Sequence, residues 1–215
     1  QVLPGARCRL ANLGTNVATI LITDSDGRAV SSPVPIGGIG TDGAVSLYHF
    51  RIQEVEAPDG YLLDPTVHDF QFNIKTDQYQ TLTYQYEAAD SPNRVIISKK
   101  QLTTKEELPG ASLEVRRVTE MVDKDGTVIR IDGDVIESWI STEVPHELEC
   151  LTEGMYVLIE TRAPEGYIEA EKVYFTISGN MTVDDMPMVE MFDDDTKIEI
   201  RKVDSENGNP LKGAK

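Results

Sequence analysis

The 215-residue sequence contains few cysteines and few of the residues that usually hold metals. Its two cysteines, Cys8 and Cys150, stand far apart, and no Cys-x-x-Cys pair or histidine cluster accompanies them. Structural zinc sites need such clusters, so a zinc site is excluded and no metal or cofactor is expected. Cys8 follows a strand pattern that points it inward, which favours an inert core residue over a disulfide or a reactive thiol.

Long apolar runs and an excess of positive charge are also absent. No run approaches the length of a membrane-spanning helix, and neither end shows a signal peptide or sorting signal, so no membrane insertion is expected for this fragment. The chain has 37 acidic and 20 basic residues and a formal net charge of −17. This balance argues against nucleic acid and anionic membrane surfaces as partners. The sequence also lacks a Gly-x-Ser-x-Gly nucleophile setting, which disfavours an enzyme with turnover.

Helical periodicity is missing as well, whereas short β-branched and aromatic runs separated by turn residues are frequent. The pattern predicts strands at 18–23, 70–74, 81–86, 127–131, 173–177 and 198–200, with turns at 26–27, 42–43, 125–126, 132–133 and 178–180. The fold class is therefore all-β, with antiparallel, Ig-like β-sandwich units. The Asp-x-Asp-Gly stretches at 24–27 and 123–126 lack the further oxygen ligands of a calcium loop, so hairpin turns are favoured there.

An octapeptide occurs twice in the chain. Residues 54–61 read Glu-Val-Glu-Ala-Pro-Asp-Gly-Tyr, and residues 160–167 read Glu-Thr-Arg-Ala-Pro-Glu-Gly-Tyr. A match at Glu, Ala, Pro, an acidic residue, Gly and Tyr indicates a tandem repeat.

The repeated unit is longer than this octapeptide. A Leu-Pro-Gly-Ala stretch begins at Leu3 and again at Leu108, and a related Leu-Lys-Gly-Ala stretch begins at Leu211. A spacing of about 100 residues is an ordinary domain length. We expect a domain that lacks its first strand at residues 1–94 (the first repeat), a complete domain at 95–196 (the second repeat), and the first strand of a truncated third repeat at 197–215. The chain is accordingly interpreted as a piece of a longer protein.

Three charged residues of the second repeat share a strand face with apolar residues. Side chains two positions apart in a strand point to the same side. Lys99, Glu160 and Asp193 each end such an alternation. Their apolar companions are Val95 and Ile97, Tyr156 and Leu158, and Val189 and Met191.

The same pattern recurs elsewhere in the chain. In the first repeat, Glu54 and Asp90 occupy the corresponding places, and Asp90 ends the alternation of Leu82, Tyr84, Tyr86 and Ala88. Lys202 ends the alternation of Ile198 and Ile200 in the third. No lysine of the first repeat precedes its Leu-Pro-Gly-Ala stretch in this chain.

Charges on apolar faces allow three interpretations, because an isolated buried charge is costly. The lysine, glutamate and aspartate form a buried salt-bridge network, or the strand ends let them reach water, or they react. Burial lowers the pKa of an amine and raises that of a carboxylic acid, which gives a nucleophile beside an electrophile. With an effective molarity of about 10⁵ M or more, and a glutamate to move protons, such a pair can lose water and form an amide.

The segments that carry these residues resemble one known family. They are residues 97–99 before Leu-Pro-Gly-Ala, 137–148, the octapeptide at 160–167 and 189–193. They are similar to the B-type repeat domains of Gram-positive collagen adhesins and pilins, called CNA-B or SpaA-type prealbumin-like domains.

The resemblance implies a role for each candidate residue. It implies an intramolecular isopeptide bond between Lys99 and Asp193, with Glu160 as the catalytic proton shuttle and Glu54 as its equivalent in the first repeat. Asp90 is then the candidate acceptor of the first repeat, with Asn93 as a weaker one. Lys202 is the candidate donor of the third repeat.

The function expected from this combination is a structural spacer in a Gram-positive adhesin or pilus-type protein. It would be extracellular, attached to the cell wall through other parts of its parent, and catalytic only in a single self-crosslinking event. Neighbouring repeats are the expected partners, and host extracellular matrix is a further candidate. We expect a monomer, with strand complementation by residues 197–215 as a variation. The alternative is an adhesin module that binds a host matrix protein or glycan through inter-strand loops such as 33–41 or 132–145.

Overall fold

The computed structural model describes residues 2–73, 82–196, 202–206 and 209. Within these ranges the regular structure is β-strand, apart from one 3-10 turn at Val183–Asp185, and no helix has the length and hydropathy of a membrane span. The strands of the first repeat are β1 (Arg7–Asn12), β2 (Val17–Ile22), β3 (Gly37–Ile39), β4 (Val45–Leu47), β5 (His49–Glu56) and β6 (Val67–Gln71). Those of the second are β7 (Arg94–Gln101), β8 (Ser112–Val122), β9 (Val128–Ile140), β10 (His146–Glu149), β11 (Gly154–Arg162), β12 (Val173–Ile177) and β13 (Met188–Asp193).

The first repeat contains a four-stranded antiparallel sheet in the order β2-β1-β5-β6, and β3 pairs with β4 separately. Its central strand β5 shows the expected alternation, since Phe50 is fully buried and Glu54 is 8% exposed. The Phe50 ring packs against Phe70 and Phe72, with centroids 5.3 and 5.5 Å away. An aromatic cluster of Phe50, Phe70 and Phe72 therefore lies on one face of this sheet.

The second repeat is a β-sandwich of two sheets. One sheet has the order β12-β11-β8-β9 and the other has the order β10-β7-β13. A continuous apolar core joins them, because it takes Ile97 and Met191 from the second sheet and Leu113 and Leu158 from the first. The apolar faces of the two sheets thus meet in this core. The strands that carry the candidate charged residues belong to these sheets, β7 and β13 to one and β11 to the other.

One pair of strands departs from the antiparallel expectation. β13 pairs with β7 in parallel, with Met191 opposite Lys99 and Asp193 opposite Gln101. β7 and β13 are the first and last strands of the repeat, and the chain between them crosses through the other sheet. A crossover of that length permits a parallel pair, which a short hairpin would not.

Two of the expected local structures are wrong. The expected turn at 132–133 lies inside β9, which pairs with β8 through register shifts, so most of the supposed 132–145 loop is strand. Described residues 82–86 form no strand, and Leu82, Tyr84 and Tyr86 are 42%, 37% and 38% exposed instead of buried. In the second repeat β7 pairs with the edge of the corresponding strand β13, whereas no described strand lies beside residues 82–90. The expected strand at 198–200 and the Leu-Lys-Gly-Ala stretch at 211–214 lie outside the described residues.

The two repeats contact each other through a short junction. Leu62 of the first repeat belongs to the apolar core of the second, and Leu63 donates its backbone N–H to Met181 O at 2.8 Å. The Asn93 side chain donates to Leu151 O at 2.7 Å and accepts from Leu151 N at 2.9 Å. The residues directly after the first octapeptide therefore pack against the second repeat.

Candidate functional site

Lys99 lies on the central strand of the three-stranded sheet. β7 is flanked by β10 and β13, and its inward side chains Val95 and Ile97 are 0% and 2% exposed. Lys99 continues that face and is itself only 2% exposed. The alternation of the strand thus carries the amine into the apolar core, as the sequence pattern predicts.

Glu160 reaches the same place from the opposite sheet. It faces Leu113 of β8 in the β11 ladder, directly before a register shift, and is 1% exposed. Its Oε2 accepts the backbone N–H of Ala170 at 2.7 Å. This bond fixes the carboxyl and leaves Oε1 directed at Lys99 Nζ, 3.0 Å away.

Asp193 ends β13 and completes the group. It is fully buried, and its Oδ1 accepts a hydrogen bond from Lys99 Nζ, while Oδ2 has no hydrogen-bond partner among the described residues. Burial raises the pKa of Asp193 to about 6, against the lowering effect of Lys99 and with a further rise from the Glu160 charge. The neutral acid is therefore more accessible here than for an aspartate in water.

The structure brings together the three residues that the sequence assigns to the second repeat. One amine and two carboxyls meet there, surrounded by apolar side chains. If all three groups were ionised, one negative charge would remain uncompensated. Protonation of Asp193 removes that excess, and it also converts the carboxylate into an electrophile. The arrangement can act as a buried ion-pair cluster or as an amide-forming pair with a proton carrier.

The first repeat contains the two carboxyls of this arrangement, Glu54 and Asp90. Glu54 Oε2 accepts the backbone N–H of Asp64 at 2.8 Å, again ten residues after the glutamate. Burial, followed by the charges of Asp90 and Asp64, raises the pKa of Glu54 to about 7 although the Asp64 N–H opposes the change. Burial also raises the pKa of Asp90, whose buried Oδ1 has no hydrogen-bond partner among the described residues.

Backbone pairing shows that Asp90 and Asp193 occupy equivalent places. Tyr61 pairs with Pro92 two residues beyond Asp90, and Tyr167 pairs with Asp195 two residues beyond Asp193. The preceding turn is also shared, because Tyr61 N donates to Pro58 O at 3.0 Å and Tyr167 N donates to Pro164 O at 3.1 Å. Gly60 and Gly166 have φ of 84° and 89° in these turns, a left-handed conformation that explains the glycine of the octapeptide.

The remaining candidates are not part of these groups. Lys202 is exposed and forms no ion pair within the described part of the chain. Asn93, the weaker acceptor candidate, uses its side chain at the Leu151 backbone. Cys8 is a half-buried free thiol opposite Glu54, and Cys150 is exposed and free. The Trp139 ring stacks on His146, with ring centroids 4.2 Å apart, and packs against the apolar core of the second repeat.

Sequence reasoning missed the backbone donors that position the two glutamates. Ala170 and Asp64 contribute only an N–H, so no side-chain pattern reveals them. The sequence signal that could reveal them is their spacing, because each lies ten residues after the glutamate of its octapeptide.

Comparison with known proteins finds a family match for most of the second repeat. Residues 93–188 match the sequence model of the family described as SpaA, prealbumin-like fold domain. The matched range includes Lys99 and Glu160 and ends before Asp193, and it confirms the family resemblance for this segment. No curated protein sequence matches the chain.

Several solved structures are similar to this chain. The Bacillus anthracis TIE protein is 21% identical, with a TM-score of 0.45, and the match covers 91% of this chain but 31% of that one. The shaft pilin spaA from Lactobacillus rhamnosus GG is 16% identical, with a TM-score of 0.37, and the match covers 92% and 87% of the two chains. A streptococcal ancillary pilin is 20% identical, with a TM-score of 0.31 and coverage of 88% and 57%.

Proposed function

We propose that this chain, whose residues 93–188 match the SpaA-type prealbumin-like domain, is a structural module of a Gram-positive pilus or cell-surface adhesin. It acts outside the cell as a spacer, and its second repeat is closed by an isopeptide bond between Lys99 and Asp193. The observation that carries the proposal is the enclosure of Lys99 with Glu160 and Asp193, each at most 2% exposed.

The reaction follows from the positions of the three groups. Transfer of one proton from the Lys99 ammonium to the Asp193 carboxylate, which it contacts, gives a free amine beside a neutral acid. The amine then attacks Cγ of Asp193, so a C–N bond forms and the C–OH bond breaks. Glu160, with Oε1 3.0 Å from Nζ, takes the proton that the amine loses and returns it to the departing hydroxyl, which leaves as water. No oxidant, metal or cofactor enters this balance.

The fold supplies what the condensation lacks in water. Lys99 Nζ already contacts Asp193 Oδ1, so no translational entropy is lost when the bond forms. The apolar residues around the group exclude water, which slows hydrolysis of the amide. Because the amide that forms is part of the fold, the group reacts once and the product is the stabilised fold itself.

Intact mass measurement tests this proposal. The folded chain is expected to weigh about 18 Da less than the sum of its residues, one water for one amide. Lys99→Arg, Glu160→Gln and Asp193→Ala should each restore the full mass. Lys100→Arg is the matched control, because Lys100 lies on the same strand and pairs with exposed Glu190 of β13. A full mass for the unaltered folded chain would overturn the isopeptide bond and leave a buried ion-pair cluster.

A further inference from the structure

The Leu-Pro-Gly-Ala stretch of the second repeat is held by hydrogen bonds to a single residue, Ser141. The Ser141 Oγ donates to Leu108 O at 2.6 Å and accepts from Ala111 N at 2.9 Å. The Ser141 backbone accepts from Gly110 N at 3.0 Å and donates to Ala111 O at 2.8 Å. Ser141 is 6% exposed, so its hydroxyl satisfies two backbone groups in a buried setting, where an unpaired polar group is costly.

Thr23 forms the same set of bonds in the first repeat. Its Oγ1 donates to Leu3 O at 2.8 Å and accepts from Ala6 N at 2.9 Å. Its backbone accepts from Gly5 N at 2.9 Å and donates to Ala6 O at 3.0 Å. We call the Ser141 or Thr23 hydroxyl, together with the two backbone groups that it binds, the hydroxyl clamp of its repeat.

The equivalence of the two hydroxyl residues comes from strand pairing. Thr23 directly follows β2, which pairs with β1, and Ser141 directly follows β9, which pairs with β8. The two residues are further apart in the chain than the two Leu-Pro-Gly-Ala stretches, because β8 and β9 have 11 and 13 residues whereas β1 and β2 have 6 each. The spacing of the repeats therefore does not reveal the clamp.

The clamp of the second repeat is joined to the backbone of the reacting lysine. Leu108, whose carbonyl binds the Ser141 hydroxyl, donates its N–H to Lys99 O at 2.7 Å. Ala111, whose N–H binds the same hydroxyl, directly precedes β8, which pairs with β11, the strand of Glu160. Ser141 thus fixes the connection between the strand of the amine and the strand beside the glutamate.

We infer that Ser141 is a positioning residue for the condensation of Lys99 with Asp193, an inference that rests on the function proposed above. The hydroxyl exchanges no proton with the reacting groups, and the bonds that form and break are those already described. It keeps the Leu-Pro-Gly-Ala turn closed on the backbone of Lys99 and so holds Nζ against the carboxyl that it attacks. A misplacement of reacting atoms by about 1 Å can cost about 100-fold in rate. Without the hydroxyl, only water could satisfy Leu108 O and Ala111 N, and water beside the lysine strand favours the charged amine, which does not attack.

The rate of water loss in newly made chain tests this role. Chain from a cell-free synthesis is sampled over time, quenched in acid and weighed intact, and the fraction that is lighter by about 18 Da is followed. Ser141→Ala should slow this loss by about 10-fold or more. Ser141→Thr should restore the rate of the unaltered chain, because Thr23 forms the same clamp in the first repeat.

Two controls separate positioning from stability. Thr23→Ala removes the clamp of the first repeat and should leave the rate unchanged, since Lys99 lies in the second repeat. Asn93→Ala removes buried hydrogen bonds to the Leu151 backbone before the start of β7, whereas Lys99 lies near the end of that strand. While it remains folded by circular dichroism, Asn93→Ala should react at the unaltered rate. If it were instead slowed as much as a Ser141→Ala chain of similar urea midpoint, the effect would be one of stability and the positioning role would be wrong.

The remaining outcomes distinguish this inference from the proposed function. A folded Ser141→Ala chain that loses water as fast as the unaltered chain would overturn the positioning role and leave the isopeptide bond in place. If Ser141→Ala does not fold, Ser141→Cys takes its place, because a thiol is a weaker hydrogen-bonding group. A slower loss of water in folded Ser141→Cys would support the role, and an unaltered rate would contradict it. An unaltered chain that keeps its full mass would overturn the isopeptide bond and the role of Ser141 with it.

Discussion

Lys99 and Asp193 are separated by 94 residues in the sequence, but their side chains meet between two parallel neighbouring strands. In the proposed spacer, a pulling force would enter the second repeat at the start of β7 and leave it at the end of β13. A covalent link between these residues would carry that force directly from one strand to the other. The residues between them would then bear no load.

Single-molecule stretching should reveal the covalent link. With the proposed bond, the 94-residue segment between Lys99 and Asp193 cannot extend. Asp193→Ala should release an additional contour length of about 340 Å, at roughly 3.6 Å per residue. Glu190→Gln on the same strand should release none, because Glu190 is exposed and pairs with half-buried Lys100 outside the core. An equal contour length for the unaltered chain and Asp193→Ala would contradict the proposed link.

The variants Glu160→Gln and Glu190→Gln should differ in equilibrium stability. Closing a loop of 94 residues stabilises a fold by about 4 to 5 kcal/mol if the chain-entropy estimate for disulfides applies. Glu160→Gln, which prevents the condensation, should lower the free energy of unfolding by an amount of this order. Glu190→Gln disrupts an exposed pair and should cost less than about 1 kcal/mol. Urea denaturation measures both, and similar midpoints for the two variants would count against a covalent bond.

The sequence predicts the site of the second repeat better than the surface of the first. Lys99, Glu160 and Asp193 follow a strict two-residue alternation on strands whose partners all belong to the described chain, so parity alone indicates burial. The same alternation at Leu82, Tyr84 and Tyr86 predicts burial wrongly, because burial also requires a strand on the other side. No side-chain pattern in the sequence predicts the parallel pairing of β7 with β13. The same holds for the backbone N–H groups of Ala170 and Asp64 that bind the two glutamates.

Glu54 should make stability depend on pH in a direction unusual for a carboxyl. Its pKa is about 7 in the folded chain, against an ordinary value of 4.5. Between these values the folded state keeps a proton that the unfolded state has lost, so stability falls as pH rises from 4.5 to 7. The total change is at most about 3 kcal/mol.

Replacement of Glu54 by glutamine removes this titration and keeps an oxygen for the Asp64 N–H. We expect Glu54→Gln to be more stable than the unaltered chain at pH above 7 and to show a flatter profile between pH 4.5 and 7. Thermal unfolding across that range provides the measurement. Glu56→Gln serves as the control, since Glu56 lies on the same strand and pairs with exposed Arg7. A profile for Glu54→Gln that parallels the control would show that Glu54 does not titrate in this way.

Asn93 should be essential for the junction and irrelevant to the condensation. Its buried amide satisfies both the N–H and the carbonyl of Leu151, and its own backbone N–H donates to Gly60 O at 2.9 Å. Asn93→Ala leaves the two Leu151 groups unpaired, and each unsatisfied buried group costs about 1 to 3 kcal/mol. The midpoint of denaturant unfolding should therefore fall well below that of Ser91→Ala, whose side chain is exposed two positions earlier. The intact mass distinguishes this role from that of an acceptor, because Asn93→Ala should retain the loss of water that depends on Lys99. A mass restored to the full residue sum by Asn93→Ala, in a chain that still folds, would make Asn93 part of the reacting group.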